Sequence, residues 1–195
     1  MIAQETIKEY GAGEILLQKD EILFREGSHA RFYYQVKDGA IKMSTYNHEG
    51  KEFIQGIFKN DQSFGEPALF GDFPYPASAI AQEKTILYKL SKEGLVALLR
   101  NHFDIQMNFI GILSQRLQYK AMIMKEISGY NPEHRIITLI DHLKKEVSKD
   151  LDYEVTLTRQ QIADLLGLRV ETVIRAVKHL EKSGELKIIK RKIFR

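Results

Sequence analysis

A short segment near the C-terminus carries the polar residues whose spacing is most specific. In a helix predicted to run from about Val170 to Lys182, the apolar residues face inward, so their polar neighbours face outward. The outward side chains of its N-terminal half are Arg169, Glu171, Thr172 and Arg175. In a DNA major groove an arginine can donate two hydrogen bonds to guanine O6 and N7, and a glutamate can accept one from cytosine N4. These four residues are therefore candidates for reading base edges.

The residues before this helix predict a second, shorter helix. Thr158 and Gln161 have the spacing of a capping box, in which each side chain accepts a hydrogen bond from the other residue's backbone N–H. Apolar residues continue to Leu166, and Gly167 supplies a tight turn. A short helix, a glycine turn and a second helix together predict a helix-turn-helix.

A small basic hairpin is predicted beyond the second helix. Leu186–Ile189 and Ile193-Phe194 are strand-like, and Lys190-Arg191-Lys192 lies between them. Such a hairpin would act as a wing on the phosphate backbone of DNA. The candidate phosphate contacts of the whole region are Thr158, Arg159, Gln160, Lys178, His179, Lys190 and Lys192.

The distribution of charge supports a polyanionic partner. The chain has 195 residues and a net charge of +3, but residues 158–195 hold 10 Lys and Arg against 4 Asp and Glu. Residues 1–129 hold 15 against 16 and are close to neutral. A basic end on a neutral body favours an electrostatic contact with double-stranded DNA.

Several elements must position this basic end. Many short apolar or alternating runs before residue 91 predict an antiparallel β-roll, and Asp38-Gly39 between two of them predicts a hairpin. The interior of such a roll can be filled with side chains or can hold one small ligand, and the pattern leaves both open. The predicted fold is α+β: a jelly-roll-like domain (residues 1–102), a long helix (103–129) and a winged helix-turn-helix (130–195).

The long helix carries an apolar seam with coiled-coil spacing. The seam comprises Phe103, Ile110, Leu113, Leu117, Ala121 and Met124. Further apolar residues lie off the seam, so one face can pack on the roll while the seam meets a second copy. A homodimer is therefore predicted, and the alternative is a helix buried within one chain.

Composition excludes several classes of function. The chain has no cysteine, which rules out disulfides, thiolate nucleophiles and cysteine-held zinc or iron–sulfur clusters. Its six histidines show no metal-binding spacing, and no set of residues has the pattern of a catalytic site, so no metal and no enzyme activity are predicted. No signal peptide and no apolar run long enough to cross a bilayer are visible, and we expect a soluble cytoplasmic protein.

The order of roll, long helix and helix-turn-helix resembles the CRP/FNR family of bacterial transcription regulators. The resemblance covers nearly the whole chain, and its specific part is Thr158–Arg175, with Phe64-Gly65-Glu66 and Leu69-Phe70 in the roll. It implies a cyclic-nucleotide-binding-type roll, a dimer on a palindromic operator and RNA polymerase as a protein partner. It also implies that Glu171 and Arg175 read a G·C pair in each half-site. Val170 stands where the FNR branch has valine and the CRP branch arginine, which indicates a half-site containing TGA.

The expected effector pocket departs from the family pattern. The resemblance places it at Gly65, Glu66, Ala77, Ser78 and Lys120. Nucleotide-binding members carry an Arg-Ser or Arg-Thr pair that holds the cyclic phosphate, and this chain has Pro76-Ala77 there. Neither side chain can donate a hydrogen bond or balance a phosphate charge. We therefore expect no response to cyclic AMP, no cofactor and an effector of unknown identity.

The sequence departs from the family pattern at two positions of the helix-turn-helix, and two alternative functions are considered. Ile174 replaces the small residue usual in the family, and Arg169 replaces the usual Ser or Thr helix cap. One alternative function is a ligand-sensing module that acts through protein contacts without specific DNA binding. The other, a small β-barrel enzyme, lacks a catalytic constellation.

Overall fold

The computed structural model describes residues 2–147 and 153–195. The chain folds into two compact units, Met1–Gln115 and Arg116–Arg195. A long helix begins in the first unit and ends in the second.

The first unit is the predicted β-roll, built from two four-stranded sheets. One sheet has the order β1-β8-β3-β6 and the other β2-β7-β4-β5, and their paired strands are antiparallel. The strands are β1 (Gly13–Leu17), β2 (Ile22–Phe24), β3 (Phe32–Asp38), β4 (Ile41–Tyr46), β5 (Glu52–Phe58), β6 (Ser63–Phe64), β7 (Ser78–Ala81) and β8 (Thr85–Ser91).

The hairpin predicted at Asp38-Gly39 is wrong, although the turn is present. Strand β3 pairs with β8 and β6, whereas β4 pairs with β5 and β7, so the turn carries the chain from one sheet to the other. Gly39 has a φ of +99°, and a Cβ there would lie 2.6 Å from Thr85 Oγ1 and 2.8 Å from the Lys84 carbonyl. Only glycine fits this corner, because the start of β8, the strand that pairs with β3, lies directly beside it.

Three short elements of the first unit escape the sequence pattern: helices α1 (Gln4–Glu9) and α2 (Glu66–Gly71), and strand β6. Helix α3 (Lys92–Asn101) follows β8 and is capped by the Ser91 side chain, which accepts a hydrogen bond from Gly94 N–H at 3.0 Å.

The two faces of β3 bury different clusters. Tyr33 packs with the helices, while Tyr34 and Val36 face the interior of the roll. This sheet is therefore covered on both faces.

Helix α4 (Phe103–Gly129) presents most of the predicted seam to solvent. Phe103 and Leu117 are each 72% exposed, Met124 is 69% exposed and Ile110 is 49% exposed. Leu113 differs, because it packs against the apolar cluster between the helices and the β-sheet of the first unit. One seam position is thus covered within the chain, and the others are not.

The second unit contains helices packed on a three-stranded sheet. Its elements are α5 (Pro132–Val147), β9 (Glu154–Val155), α6 (Arg159–Leu166), α7 (Val170–Lys182), β10 (Lys187–Ile189) and β11 (Lys192–Phe194). The sheet order is β10-β11-β9, so the wing is a hairpin with one added strand. Among the described residues, no helix combines the length and apolar character that crossing a membrane requires.

Candidate nucleic-acid interface

Helix α6 begins at the capping box predicted from the sequence. Thr158 Oγ1 accepts a hydrogen bond from Gln161 N–H at 3.1 Å, and Gln161 Oε1 accepts one from Thr158 N–H at 2.9 Å. Gln160, a predicted phosphate contact, donates its side-chain amide to Asp164 Oδ1 at 2.8 Å. Its amide nitrogen is therefore already engaged, whereas Arg159 makes no hydrogen bond or ion pair with its side chain in the described structure.

A tight turn joins α6 to α7. Gly167 has a φ of +65°, and the N–H groups of Gly167 and Leu168 both donate to the Ala163 carbonyl. Ala163 is fully buried, in keeping with a close helix crossing. Arg169 adopts extended backbone angles at the start of α7 and gives no side-chain cap, so its guanidinium is not used in starting the helix.

Helix α7 separates its apolar and polar faces as predicted. Val173, Ala176, Val177 and Leu180 are at most 3% exposed. Glu171, Arg175 and Lys178 lie on the opposite side and are exposed, while Thr172 is half-buried at the edge. This follows from a helix with about 100° per residue, which places Thr172 about 90° from the centre of the buried face.

The charged side chains of this outward face are unpaired in the structure. Arg169, Glu171, Arg175 and Lys178 form no hydrogen bond or ion pair through their side chains with any described residue. They remain hydrated, and no internal contact has to break before they meet a ligand. His179 is also exposed, with Nδ1 4.0 Å from Glu133 Oε1.

The wing ends in a two-residue turn of unusual composition. Ile189 and Lys192 pair across the hairpin, and the turn residues Lys190 and Arg191 have φ values of +49° and +68°. Asn-Gly is the usual pair in a turn of this kind, because ordinary side chains are strained at positive φ. The strained turn carries two exposed cations at its tip, and only Lys190 of the two was predicted from the sequence to contact phosphate.

Two other basic residues near the wing are held by carboxylates. Lys192 Nζ lies 2.6 Å from Glu154 Oε1 on the neighbouring strand. Arg195 donates to both oxygens of Asp141, at 2.7 and 3.1 Å, and to the Glu185 carbonyl at 2.8 Å. The hydrogen bond to Asp141 raises the pKa of Arg195. The Arg195 contacts fasten the wing sheet to α5, and its positive charge is locally balanced.

The junction between α4 and α5 is fixed by side-chain hydrogen bonds. Asn131 Oδ1 accepts a hydrogen bond from His134 N–H at 2.9 Å, which caps the start of α5. Arg135 donates to the carbonyls of Ile127 and Tyr130, each at 2.7 Å. His134 Nδ1 lies 2.7 Å from the buried Glu126 carboxylate. The contacts of Arg135 and of the His134 side chain were not predicted from the sequence.

The residues predicted to form the effector pocket include no basic side chain in the first unit that could hold a phosphate. Glu66 is buried and accepts a hydrogen bond from the Ser63 hydroxyl, and Ala77 is fully buried. Gly65, at a φ of +82°, packs beside Tyr75. Ser78 accepts a hydrogen bond from Glu26 N–H at 2.9 Å. Lys120 lies on α4 and belongs to the second unit, whereas the other four residues belong to the first.

Aromatic rings fill the interior of the roll next to this site. Tyr75 stacks on Phe24 with ring centroids 3.6 Å apart, and Tyr34 stacks on Phe64 at 5.8 Å. Burial is the main cause that raises the pKa of Tyr75, and the negative charges of the nearby Tyr34 and Glu66 raise it further. Among the described residues, no group of three or more His, Asp or Glu side chains is placed to hold a metal ion.

Comparisons with known proteins match both units. A family model described as "Cyclic nucleotide-binding domain" covers residues 7–102, and one described as "Crp-like helix-turn-helix domain" covers residues 134–194. The chain is 27% identical over 176 residues to the fumarate and nitrate reduction regulatory protein of Salmonella typhi, covering 88% of this chain and 70% of that protein.

Solved structures share the fold. A CooA mutant from Carboxydothermus hydrogenoformans superposes with a TM-score of 0.84 at 18% identity, covering 100% of this chain and 86% of that one. The c-di-GMP responsive global regulator CLP of Xanthomonas campestris gives 0.74 at 22% identity, with 98% of each chain covered.

Proposed function

Since this chain belongs to the CRP/FNR family of transcription regulators, we propose that it binds a palindromic DNA operator as a homodimer. The family consists of DNA-binding regulators and not of enzymes, in agreement with the prediction from the sequence. The α+β fold of roll, long helix and helix-turn-helix is likewise confirmed.

The observation that carries the proposal is the outward face of α7. Glu171 and Arg175 are one helical turn apart, exposed and without a side-chain partner among the described residues. In the proposed complex Arg175 donates to guanine O6 and N7, and Glu171 accepts from the N4 amino group of cytosine. Arg169 and Thr172 flank them at the start of the helix, and Val170 favours a half-site that contains TGA.

Phosphate contacts surround this reading face. Arg159, Lys178, Lys190 and Arg191 are basic, and their side chains form no ion pair with a described residue. Each phosphate that a cation neutralises steepens the dependence of log affinity on log salt concentration by about 0.9. Thr158 and His179 are exposed nearby, while Gln160 and Lys192 would have to exchange an internal partner for a phosphate.

The exposed seam of α4 supports the homodimer. Phe103, Ile110, Leu117 and Met124 recur every seven residues and are all at least 49% exposed, while Ala121 is a small exposed residue between two of them. Apolar side chains repeated at this spacing pair with a second helix in a coiled coil. A two-fold dimer would then present two copies of α7 to successive major grooves about 34 Å apart.

The effector, if the roll takes one, is not cyclic AMP. Pro76 and Ala77 cannot balance a cyclic phosphate, and the rings of Phe24 and Tyr75 occupy the adjacent interior. We expect no heat of binding when cyclic AMP is titrated into the full chain. The proposal also includes RNA polymerase as partner and the cytoplasm, where DNA lies, as the site of action.

Selection from a random duplex library tests the function. The full chain should enrich a palindrome, and fluorescence anisotropy on it should show steep salt dependence. Arg175→Ala should lose about 1–3 kcal/mol per half-site and the preference at one base pair, because a bidentate contact is removed. Lys178→Ala should weaken all sequences alike.

Two outcomes would count against this function. An unchanged sequence preference in Arg175→Ala would refute the base-reading role of that residue. The absence of any salt-dependent DNA binding would favour a module that acts through protein contacts.

A further inference from the structure

One apolar side chain lies on the outward face of α7 among charged ones. Ile174 is 42% exposed, whereas the four inward residues of the same helix are at most 3% exposed. At about 100° per residue, Ile174 lies about 110° from the centre of the buried face. It is therefore not part of the core of the second unit.

The neighbours of Ile174 on the helix surface belong to the proposed DNA-contacting set. Glu171 precedes it by three residues and Lys178 follows it by four, and these spacings bring side chains together on a helix. Arg175 is next in sequence. Ile174 therefore lies at the edge of the surface formed by Glu171, Arg175 and Lys178, where a ligand that meets these side chains can also contact it.

Fold stability does not account for an isoleucine here. A β-branched residue has a lower helix propensity than alanine or the long polar residues. Its side chain remains substantially hydrated, so little apolar area is buried in the protein alone. Contact with an apolar group of the ligand would bury it.

We propose that Ile174 recognises a thymine through the C5-methyl group, at a base pair adjoining the G·C pair read by Glu171 and Arg175. The C5-methyl of thymine is the apolar group that a standard base pair displays in the major groove, and the other edges display hydrogen-bond donors and acceptors. Isoleucine satisfies neither donors nor acceptors, so it disfavours the other pairs by removing their water. The inference rests on the proposed function.

The expected effect follows from the burial of one methyl group. Burying a methyl-sized group stabilises a complex by a factor of about four in affinity. A palindrome has two half-sites, so removing both methyls should weaken binding about fifteenfold. This is smaller than the loss expected when a bidentate arginine contact is removed.

Duplexes that differ by single methyl groups test the proposal. Starting from the palindrome selected from random DNA, each thymine of the half-site is replaced in turn by deoxyuridine, which pairs identically but lacks the methyl. Affinity for the full chain is measured by anisotropy. One thymine beside the G·C pair should give a loss of about fourfold per half-site. Placing 5-methylcytosine there should bind more tightly than cytosine.

Variants assign the effect to Ile174. Ile174→Ser should abolish the difference between thymine and deoxyuridine at that position while keeping the preference at the Arg175 pair. Val96→Ser is the matched control, because Val96 is a 37% exposed β-branched residue on a helix of the first unit. It should keep the difference. Circular dichroism melts should confirm that both variants fold.

The outcomes separate the inference from the function on which it depends. If the chain binds its palindrome specifically, loses that preference in Arg175→Ala, and yet tolerates deoxyuridine at every thymine, the role of Ile174 is wrong and the proposed function stands. A difference that persists in Ile174→Ser also overturns the role. If no duplex is bound specifically, both proposals fail.

Discussion

Substitutions in the turn at the tip of the wing should have opposite effects on stability and on DNA binding. Lys190 and Arg191 both have positive φ values, and a left-handed backbone costs an L-residue with a Cβ about 1–2 kcal/mol. Asn and Gly occupy such a turn with less strain. The double substitution Lys190→Asn with Arg191→Gly should therefore increase the free energy of unfolding of the second unit by about 1–2 kcal/mol.

The same substitution removes two cations from each proposed DNA-binding surface. At about 0.9 per phosphate contact, the slope of log affinity against log salt should decrease by about 1.8 per protomer and 3.6 per dimer. The variant should thus be more stable and bind DNA more weakly at low salt. A role of the two cations in DNA binding would explain why Lys and Arg are kept at positions where their backbone is strained.

Scanning calorimetry of the full chain and anisotropy titrations at several salt concentrations measure the two effects. An increase of 1 kcal/mol should raise the melting temperature of a unit of this size by about 4–8 °C. Asp20→Gly is the control, because Asp20 has a φ of +66° in the first unit and no proposed contact with DNA. It should stabilise the first unit and leave the salt slope unchanged. A double variant with an unaltered melting temperature refutes the strain, and an unaltered salt slope refutes the phosphate contacts.

Two further predictions concern the seam and the interior of the roll. Leu117→Glu should leave the monomer folded, because this side chain is 72% exposed, but should give a monomer by light scattering and lose operator binding; a dimer that persists would refute the seam. Burial raises the pKa of Tyr75, because it favours the neutral phenol in the folded state. The free energy of unfolding therefore includes a contribution from Tyr75 that is fully present below about pH 10. Above that pH the contribution is lost, by at most about 1.4 kcal/mol per pH unit. Urea unfolding from pH 8 to pH 11 should therefore show a smaller loss in Tyr75→Phe, which keeps the stacking on Phe24, than in the natural chain; equal losses would contradict this.

Local patterns predicted the second unit well. The capping box at Thr158, the turn at Gly167 and the apolar face of α7 depend on residues within a few positions of one another. Such interactions are written into short segments, since a helix repeats every 3.6 residues and its caps use neighbouring side chains. The family resemblance then added the proposed base-reading roles of Glu171 and Arg175.

The roll shows where local patterns fail. Asp38-Gly39 correctly indicated a turn, but the predicted hairpin is wrong, because β3 and β4 join different sheets. Strand pairing depends on contacts between residues far apart in sequence, as between β1 and β8, and no local signal encodes them. The short elements β6, α1 and α2 are too brief for a periodic pattern to appear.

The candidate site divides in the same way. Residue types and spacing were sufficient to nominate the reading face of α7, the cations of the wing and the apolar seam of α4. Contacts in the folded chain decided which of these side chains are available. Glu154 engages Lys192 and Asp164 engages Gln160, whereas Arg175 has no side-chain partner in the part of the chain that the structure describes. A short sequence records the charge of a side chain, but the partner of that charge is brought to it by a different part of the folded chain.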